Sequence, residues 1–93
     1  MTGTVSHNVL NGNTGAGLFI GTESGGATVQ NNVINGNDQY GIFVAEPLDN
    51  PIEVTNNTSL ANGIFDLFDQ VPGCSGHLWS GNTFFTANQS CIH

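Results

Sequence analysis

The chain has 93 residues, seven acidic side chains and no lysine or arginine, which gives a formal net charge of −7. Without cationic side chains it cannot neutralise phosphates, which excludes nucleic acids and anionic membrane surfaces as expected partners. Thirteen glycines and few strong helix formers favour turns and short strands over helices. No apolar run is long enough to span a bilayer.

One stretch, VQNNVINGNDQYGIFV from Val29 to Val44, recurs along the chain. Partial copies are VSHNVLNGN with GLFI upstream, and VTNNTSLANG with IFDL and then WSGNTFF downstream. The first apolar residues of the copies stand 24, 25 and 25 residues apart: Val5, Val29, Val54 and Trp79. Each copy holds three short strands and no helix, which predicts a single all-β domain, residues 1–93, of about three and a half stacked coils. The approximate coils are 5–28, 29–53, 54–78 and 79–93.

In the first coil we predict strands at residues 2–7, 9–10 and 18–20, with Phe19 pointing outward and a bend at Asn8. The second coil repeats this arrangement, with Phe43 outward above Phe19. Its predicted inward set is Val29, Val33, Ile34, Ile42 and Val44.

The register of the third coil is ambiguous around Asp66. One alignment places Asp66 inside, whereas the other places Phe65 and Leu67 inside. Burial of an unpaired carboxylate costs several kcal/mol, so we expect Asp66 to point outward. In the last segment, Trp79 and the Phe84 and Phe85 pair are bulky enough to cover the end of the core.

Four asparagines follow the first apolar residues of the four copies at a constant distance along the sequence. They are Asn8, Asn32, Asn57 and Asn82. Asparagine tolerates a left-handed bend, and stacked amides could hydrogen-bond from coil to coil. We therefore predict a structural asparagine ladder. The alternative, that asparagines merely fill loops, does not explain the constant offset.

These motifs carry a family resemblance. The pattern N-N-x-I, N-G-N and G-I-x-V resembles the right-handed parallel β-helix superfamily, which is pectate-lyase-like and includes carbohydrate-binding proteins and sugar hydrolases. The ending IFDLFDQVPGCSGHLWSGNTFFTANQSCI is similar to the C-terminal coil of secreted bacterial β-helix proteins. The resemblance implies a right-handed parallel β-helix that is the C-terminal part of a longer solenoid. It also implies substrate sites on the glycine-opened strand and the loop after it.

The two cysteines, Cys74 and Cys91, indicate an oxidising, secreted or cell-surface setting. A disulfide between them would close a loop of about 17 residues and stabilise by roughly 3 kcal/mol. A free buried pair and a metal pair are the alternatives, and the second is disfavoured because there is no CxxC motif. We expect no metal and no cofactor.

Most catalytic machinery is missing from the sequence. There is no arginine or lysine to act as the base of a polysaccharide lyase, and no polygalacturonase-like N-T-D, D-D, G-H-G or R-I-K signature. GTESG has its serine one place late for a nucleophile elbow. The histidines, His7, His77 and His93, are read as surface or turn residues.

The remaining candidates are carboxylates, most of which fall on or beside the loop after the glycine-opened strand. Stacked coils bring equivalent positions close enough for a glycosidase acid pair. The weak catalytic candidates are Glu46, Asp49, Asp66 and Asp69, and simple solvation of these acids is the alternative. The predicted binding residues are Phe19, Phe43, Glu46 and Asp66, with the two rings as a platform for a sugar.

Two functions follow from this pattern. The first is a structural or carbohydrate-binding module of a secreted bacterial protein, with a polysaccharide as possible partner. The second is a small glycan hydrolase with paired carboxylates. We also expect a homodimer through the first coil, because strand edges there lack lysine, proline or a covering helix.

Overall fold

The computed structural model describes residues 3–21, 26–45 and 52–93. Within these ranges the chain forms ten short strands and one 3-10 turn at Pro72–Cys74, and no helix is long and apolar enough to cross a membrane. The strands are β1 Gly3–Ser6, β2 Leu18–Ile20, β3 Ala27–Gln30, β4 Val33–Asn35, β5 Tyr40–Val44, β6 Glu53–Thr55, β7 Thr58–Leu60, β8 Phe65–Asp69, β9 Leu78–Ser80 and β10 Thr83–Phe84.

The strands form three sheets whose orders are β1-β3-β6-β9, β4-β7-β10 and β2-β5-β8. Every pairing is parallel, so the chain coils from sheet to sheet and returns beside its own previous strand. The first apolar residues of the repeat copies pair with one another in the first sheet, where Val29 pairs with Val5 and Val54. The predicted all-β parallel β-helix is therefore confirmed.

The core is a column of aliphatic side chains inside the coils. Val29, Ile34, Ile42 and Leu67 are fully buried. The prediction that Val33 also points inward is wrong, because side chains of the three-residue strand β4 alternate and Val33 is 38% exposed beside buried Ile34.

The bends between the first and second sheets lie one residue before the asparagine ladder. The left-handed backbone is at His7, Asn31 and Asn56, with φ of 57°, 57° and 56°, and at Gly81 with φ of 68°. The predicted bend at Asn8 is therefore displaced by one residue. This leaves each ladder asparagine free to turn its amide into the coil.

The C-terminal end is closed by Trp79, which is 2% exposed, and by a tail held by the Cys74–Cys91 disulfide. The predicted disulfide is confirmed. Phe84 packs against the core. Phe85 is 89% exposed, so its predicted part in covering this end is wrong, since it lies beyond the end of β10.

Candidate functional site

Five aromatic side chains cover the outer face of the third sheet, and we call them the aromatic surface: Phe19, Tyr40, Phe43, Phe65 and Phe68. Phe43 stacks between Phe19 and Phe68, with ring centroids 5.2 and 4.9 Å away and planes within 7° of parallel. Tyr40 packs its ring against Phe43 at 4.8 Å and against Phe68 at 5.0 Å. Phe65 lies 5.6 Å from Phe68.

The aromatic surface exists because the alternation of inward and outward side chains is interrupted in β5 and β8. In β5, Gly41 and Ile42 are both buried, so Tyr40 and Phe43 share the outer side although they are three residues apart. A side chain at Gly41 would collide with the Ser59 hydroxyl. The glycine therefore leaves room for the buried Ser59 at this position of β5.

The rings remain accessible from outside. Phe19 is 61% exposed, and the other four are partly exposed. Centroid distances near 5 Å exceed the ~3.5–4.0 Å of optimal carbon contact. Aromatic pairs prefer offset stacking, in which ring edges and parts of the faces stay uncovered.

The sequence pointed to Phe19 and Phe43 but missed the other three rings. A signal was present, because Phe68 and Phe65 follow Phe43 and Tyr40 at the repeat step of 25 residues. The ambiguous register of the third coil hid it.

Asp66 is 2% exposed, and the predictions that it points outward and helps to bind ligand are wrong. It stands in the register position of Gly41, not outside the coil, while Leu67 pairs with Ile42. Its Oδ1 accepts from the Asn62 backbone at 3.0 Å and side chain at 2.9 Å. Its Oδ2 accepts from the backbones of Phe85 at 3.0 Å and Thr86 at 3.1 Å. Four donors remove the cost that the sequence argument assigned to an unpaired carboxylate.

Asp69 is also buried and organises the C-terminal end. Its Oδ1 accepts from the Val71 backbone at 2.8 Å, and its Oδ2 accepts from the Trp79 indole at 2.8 Å. His77 Nδ1 lies 2.9 Å from the same Oδ2, and the imidazole is only 3% exposed. His77 was predicted to be a surface or turn residue, and it directly follows the turn at Ser75 and Gly76, but its side chain is buried.

The other two catalytic candidates, Glu46 and Asp49, lie outside the described residues, as does the binding assignment of Glu46. Asp66 and Asp69 use their carboxylate oxygens to hold backbone and ring N–H groups. Both carboxylates therefore act as structural acceptors in this geometry.

The four column asparagines lie in one ladder. Asn8 and Asn32 donate from Nδ2 to the Oδ1 of the asparagine one coil later, at 3.1 and 2.9 Å. Asn57 does the same to Asn82 at 3.0 Å. The Nδ2 of Asn82 then donates to the carbonyl of His93 at 2.8 Å, so the tail ends this ladder.

A second ladder, missed from the sequence, runs five residues later. Asn13 donates to Asn37, and Asn37 donates to Asn62, each from Nδ2 at 2.9 Å. It ends on Asp66 Oδ1. The same steps of 24 and 25 residues in the sequence were its signal.

The NosD family model, described as periplasmic copper-binding protein, matches residues 2–93. The chain belongs to the NosD family. No curated protein and no solved structure matches the chain. NosD is a parallel β-helix family of the bacterial periplasm, which supports an envelope location for this chain and agrees with its disulfide.

The NosD description names copper, but the described residues do not fit a copper centre. Among them, no group of three or more His, Cys, Asp or Glu side chains comes together. Both cysteines are joined to each other, and His77 Nδ1 contacts Asp69. Copper sites draw on cysteine, methionine and histidine ligands, so this part of the chain offers no such set.

Proposed function

We propose that this NosD-family chain is a structural β-helix segment of a bacterial envelope protein whose aromatic surface binds a polysaccharide. The observation that carries the proposal is the continuous patch of five rings on the outside of one sheet. Large rings are normally buried, and a contiguous exposed apolar patch marks an interaction site.

A sugar suits this surface for a chemical reason. The C–H groups on the faces of a pyranose pack against aromatic rings, while its hydroxyls stay in water. The phenol of Tyr40 offers a hydrogen-bonding group beside the rings. The surface therefore supplies both kinds of contact that a sugar needs.

The alternative, a glycan hydrolase, has less support from the described carboxylates. A glycosidase needs two carboxyl groups that reach the scissile bond. Asp66 is 2% and Asp69 0% exposed, and their oxygens face backbone and ring donors within the fold. We therefore favour binding over hydrolysis.

Affinity electrophoresis through gels that contain different polysaccharides tests this proposal. We expect at least one polysaccharide to retard the protein, and Phe19→Ala to weaken the retardation. Phe85→Ala is the matched control, because Phe85 is more exposed than Phe19 and lies outside the aromatic surface. Equal retardation of the two variants, or no retardation by any polysaccharide, would contradict the proposal.

A further inference from the structure

We infer that Asn11 is a site of spontaneous deamidation, and that it reacts before the other asparagines that precede a glycine. The sequence holds three such pairs: Asn11-Gly12, Asn35-Gly36 and Asn62-Gly63. The exposure and the hydrogen bonds of the three pairs carry the inference. This modification does not depend on what binds the aromatic surface.

The reaction needs only water. The backbone nitrogen of the glycine attacks the side-chain carbonyl carbon of the asparagine, and a new N–C bond closes a succinimide ring. The side-chain nitrogen leaves as ammonia with the proton that the glycine nitrogen gives up. Water then opens the ring at either carbonyl and yields aspartate or isoaspartate, with no oxidant or reductant. Glycine favours the attack because it carries no Cβ beside the nitrogen and moves freely between conformations.

The third pair is held on both sides. Asn62 Oδ1 accepts from the backbone and the side chain of Asn37, each at 2.9 Å, and its Nδ2 donates to Asp66 at 2.9 Å. The backbone nitrogen of Gly63 donates to the carbonyl of Asn37 at 2.9 Å. The backbone of Asp38 lies so close that a Cβ at Gly63 would collide with it. Attack would have to break several of these contacts, so we expect Asn62 to be the most protected.

The second pair is held by a neighbouring strand. Gly36 donates from its backbone nitrogen to the carbonyl of Leu60 at 3.1 Å, and Asn35 Oδ1 accepts from the backbone of Leu60 at 2.9 Å. Asn35 belongs to β4, which pairs with β7 along its whole length. Release of the Gly36 nitrogen therefore requires two paired strands to separate.

The first pair is held least. Asn11 and Gly12 are both exposed, and the backbone nitrogen of Gly12 donates to the carbonyl of Asn35 at 3.3 Å, the longest of the three glycine bonds. The residues before the pair make an isolated bridge between Val9 and Val33 instead of a paired strand. Segments with exposed hydrogen bonds and few buried contacts open most easily. The nitrogen of Gly12 is therefore released most often.

One hydrogen bond assists the attack once the nitrogen is released. Asn11 Oδ1 accepts from the backbone N–H of Asn35 at 2.7 Å. A donor on the carbonyl oxygen stabilises the negative charge that develops there as the nitrogen adds to the carbon. Asn35 has an equivalent donor in Leu60, so exposure and strand pairing decide which of the two reacts first.

The two products differ in their effect on the fold. Aspartate at position 11 still offers an oxygen to the same N–H. Isoaspartate lengthens the main chain by one methylene group shortly before Asn13, whose backbone and side chain both donate to Asn37 Oδ1 at 2.9 Å. The isoaspartyl form should therefore loosen the first rung of the second ladder.

Incubation of the folded protein at mildly alkaline pH, followed by mass spectrometry of chymotryptic peptides, measures the three rates in one molecule. Chymotrypsin is needed because the chain has no lysine or arginine for trypsin. Deamidation at Asn11 should be about tenfold faster than at Asn62, with Asn35 between them, and the three rates should converge in urea. Equal rates in the folded protein, or a faster reaction at Asn35 or Asn62, would overturn the inference.

A matched pair of variants tests the route. Gly12→Ala should slow deamidation at Asn11, because the methyl group crowds the attacking nitrogen, whereas Gly36→Ala should leave the rate at Asn11 unchanged. The two glycines have φ of 71° and 67°, so both variants carry similar backbone strain. Ala61 follows Leu60 as Gly36 follows Asn35 and has φ of 59°, which shows that alanine is accommodated at this position of a coil. If both variants slow Asn11 equally, or neither slows it, the assignment is wrong.

Discussion

Replacing Asn57 with alanine should be among the most damaging single changes to this fold. Asn57 is 1% exposed and occupies the middle of the first ladder. Its Oδ1 accepts from the backbone and side chain of Asn32 at 3.0 and 2.9 Å. Its Nδ2 donates to the carbonyl of Val29 and to Asn82 Oδ1, each at 3.0 Å. Alanine removes all of these hydrogen bonds together.

The expected loss in the free energy of unfolding depends on which hydrogen bonds the partners of Asn57 keep after the substitution. Asn82 Oδ1 still accepts from the backbone of residue 57, and Asn32 Nδ2 still donates to Val5. The backbone N–H of Asn32 loses its acceptor inside the coil. One buried unsatisfied group costs about 1–3 kcal/mol, and the other lost bonds add about 1 kcal/mol. We expect the free energy of unfolding to fall by about 2–4 kcal/mol.

Asn8→Ala provides the matched control, because it is the same substitution in the same ladder. Asn8 is exposed, its lost partner Ser6 can bind water, and Asn32 Oδ1 keeps the Asn8 backbone donor. Its cost should stay below about 1 kcal/mol. Urea unfolding followed by the fluorescence of Trp79, the single tryptophan, measures both. Losses within about 0.5 kcal/mol of each other would refute the buried-ladder argument.

Three further changes probe the ends of the coil. Asp69→Asn should lower the free energy of unfolding by about 2–4 kcal/mol and shift the fluorescence of Trp79, since one amide oxygen cannot accept from Val71, His77 and Trp79 together. The control is Asp38→Asn at an exposed position, which should change neither the stability nor the fluorescence. Cys91→Ser should lower stability by about 3 kcal/mol, and hydrogen exchange should show the tail loosening before the middle coil. We propose a homodimer through the first coil, so Leu18→Asp should convert a dimeric mass in light scattering to 9.7 kDa; a parent of that mass would contradict the proposal.

The fold was predictable because a stacked coil repeats its environment at every turn. Val29 meets the equivalent residues of its neighbouring coils, so a constant spacing in the sequence becomes a register in the structure. The position of Asp66 was predicted wrongly because its environment does not follow from the repeat. The donors that make its burial tolerable include Phe85 and Thr86, which lie about 20 residues away and carry no sequence signal as a set.

The aromatic surface was only partly predictable. Phe19 and Phe43 are central residues of alternating apolar runs, so an outward direction follows from the pleat. Tyr40 shares their side only because the chain breaks alternation after it. No pattern of period two contains that break, which occurs at Gly41 and Ile42 in β5 and again at Asp66 and Leu67 in β8.

The direction of the two asparagine ladders explains why the carboxylate of Asp66 is buried near one end of a chain without cations. Each rung donates from an amide toward the next coil, so a C-terminal end must be closed by oxygens. The carbonyl of His93 and the carboxylate of Asp66 supply them.

At the other end of the described coils, the ladders present the side-chain oxygens of Asn8 and Asn13 as acceptors. A two-fold contact between first coils sets acceptor against acceptor, so the ladders cannot continue across the proposed dimer. The contact must then be held by apolar side chains such as Leu18, which packs at the margin of the core. Asn13→Ala should accordingly leave the dimer intact where Leu18→Asp disrupts it. Loss of the dimer in both variants would show that the ladders themselves make the contact.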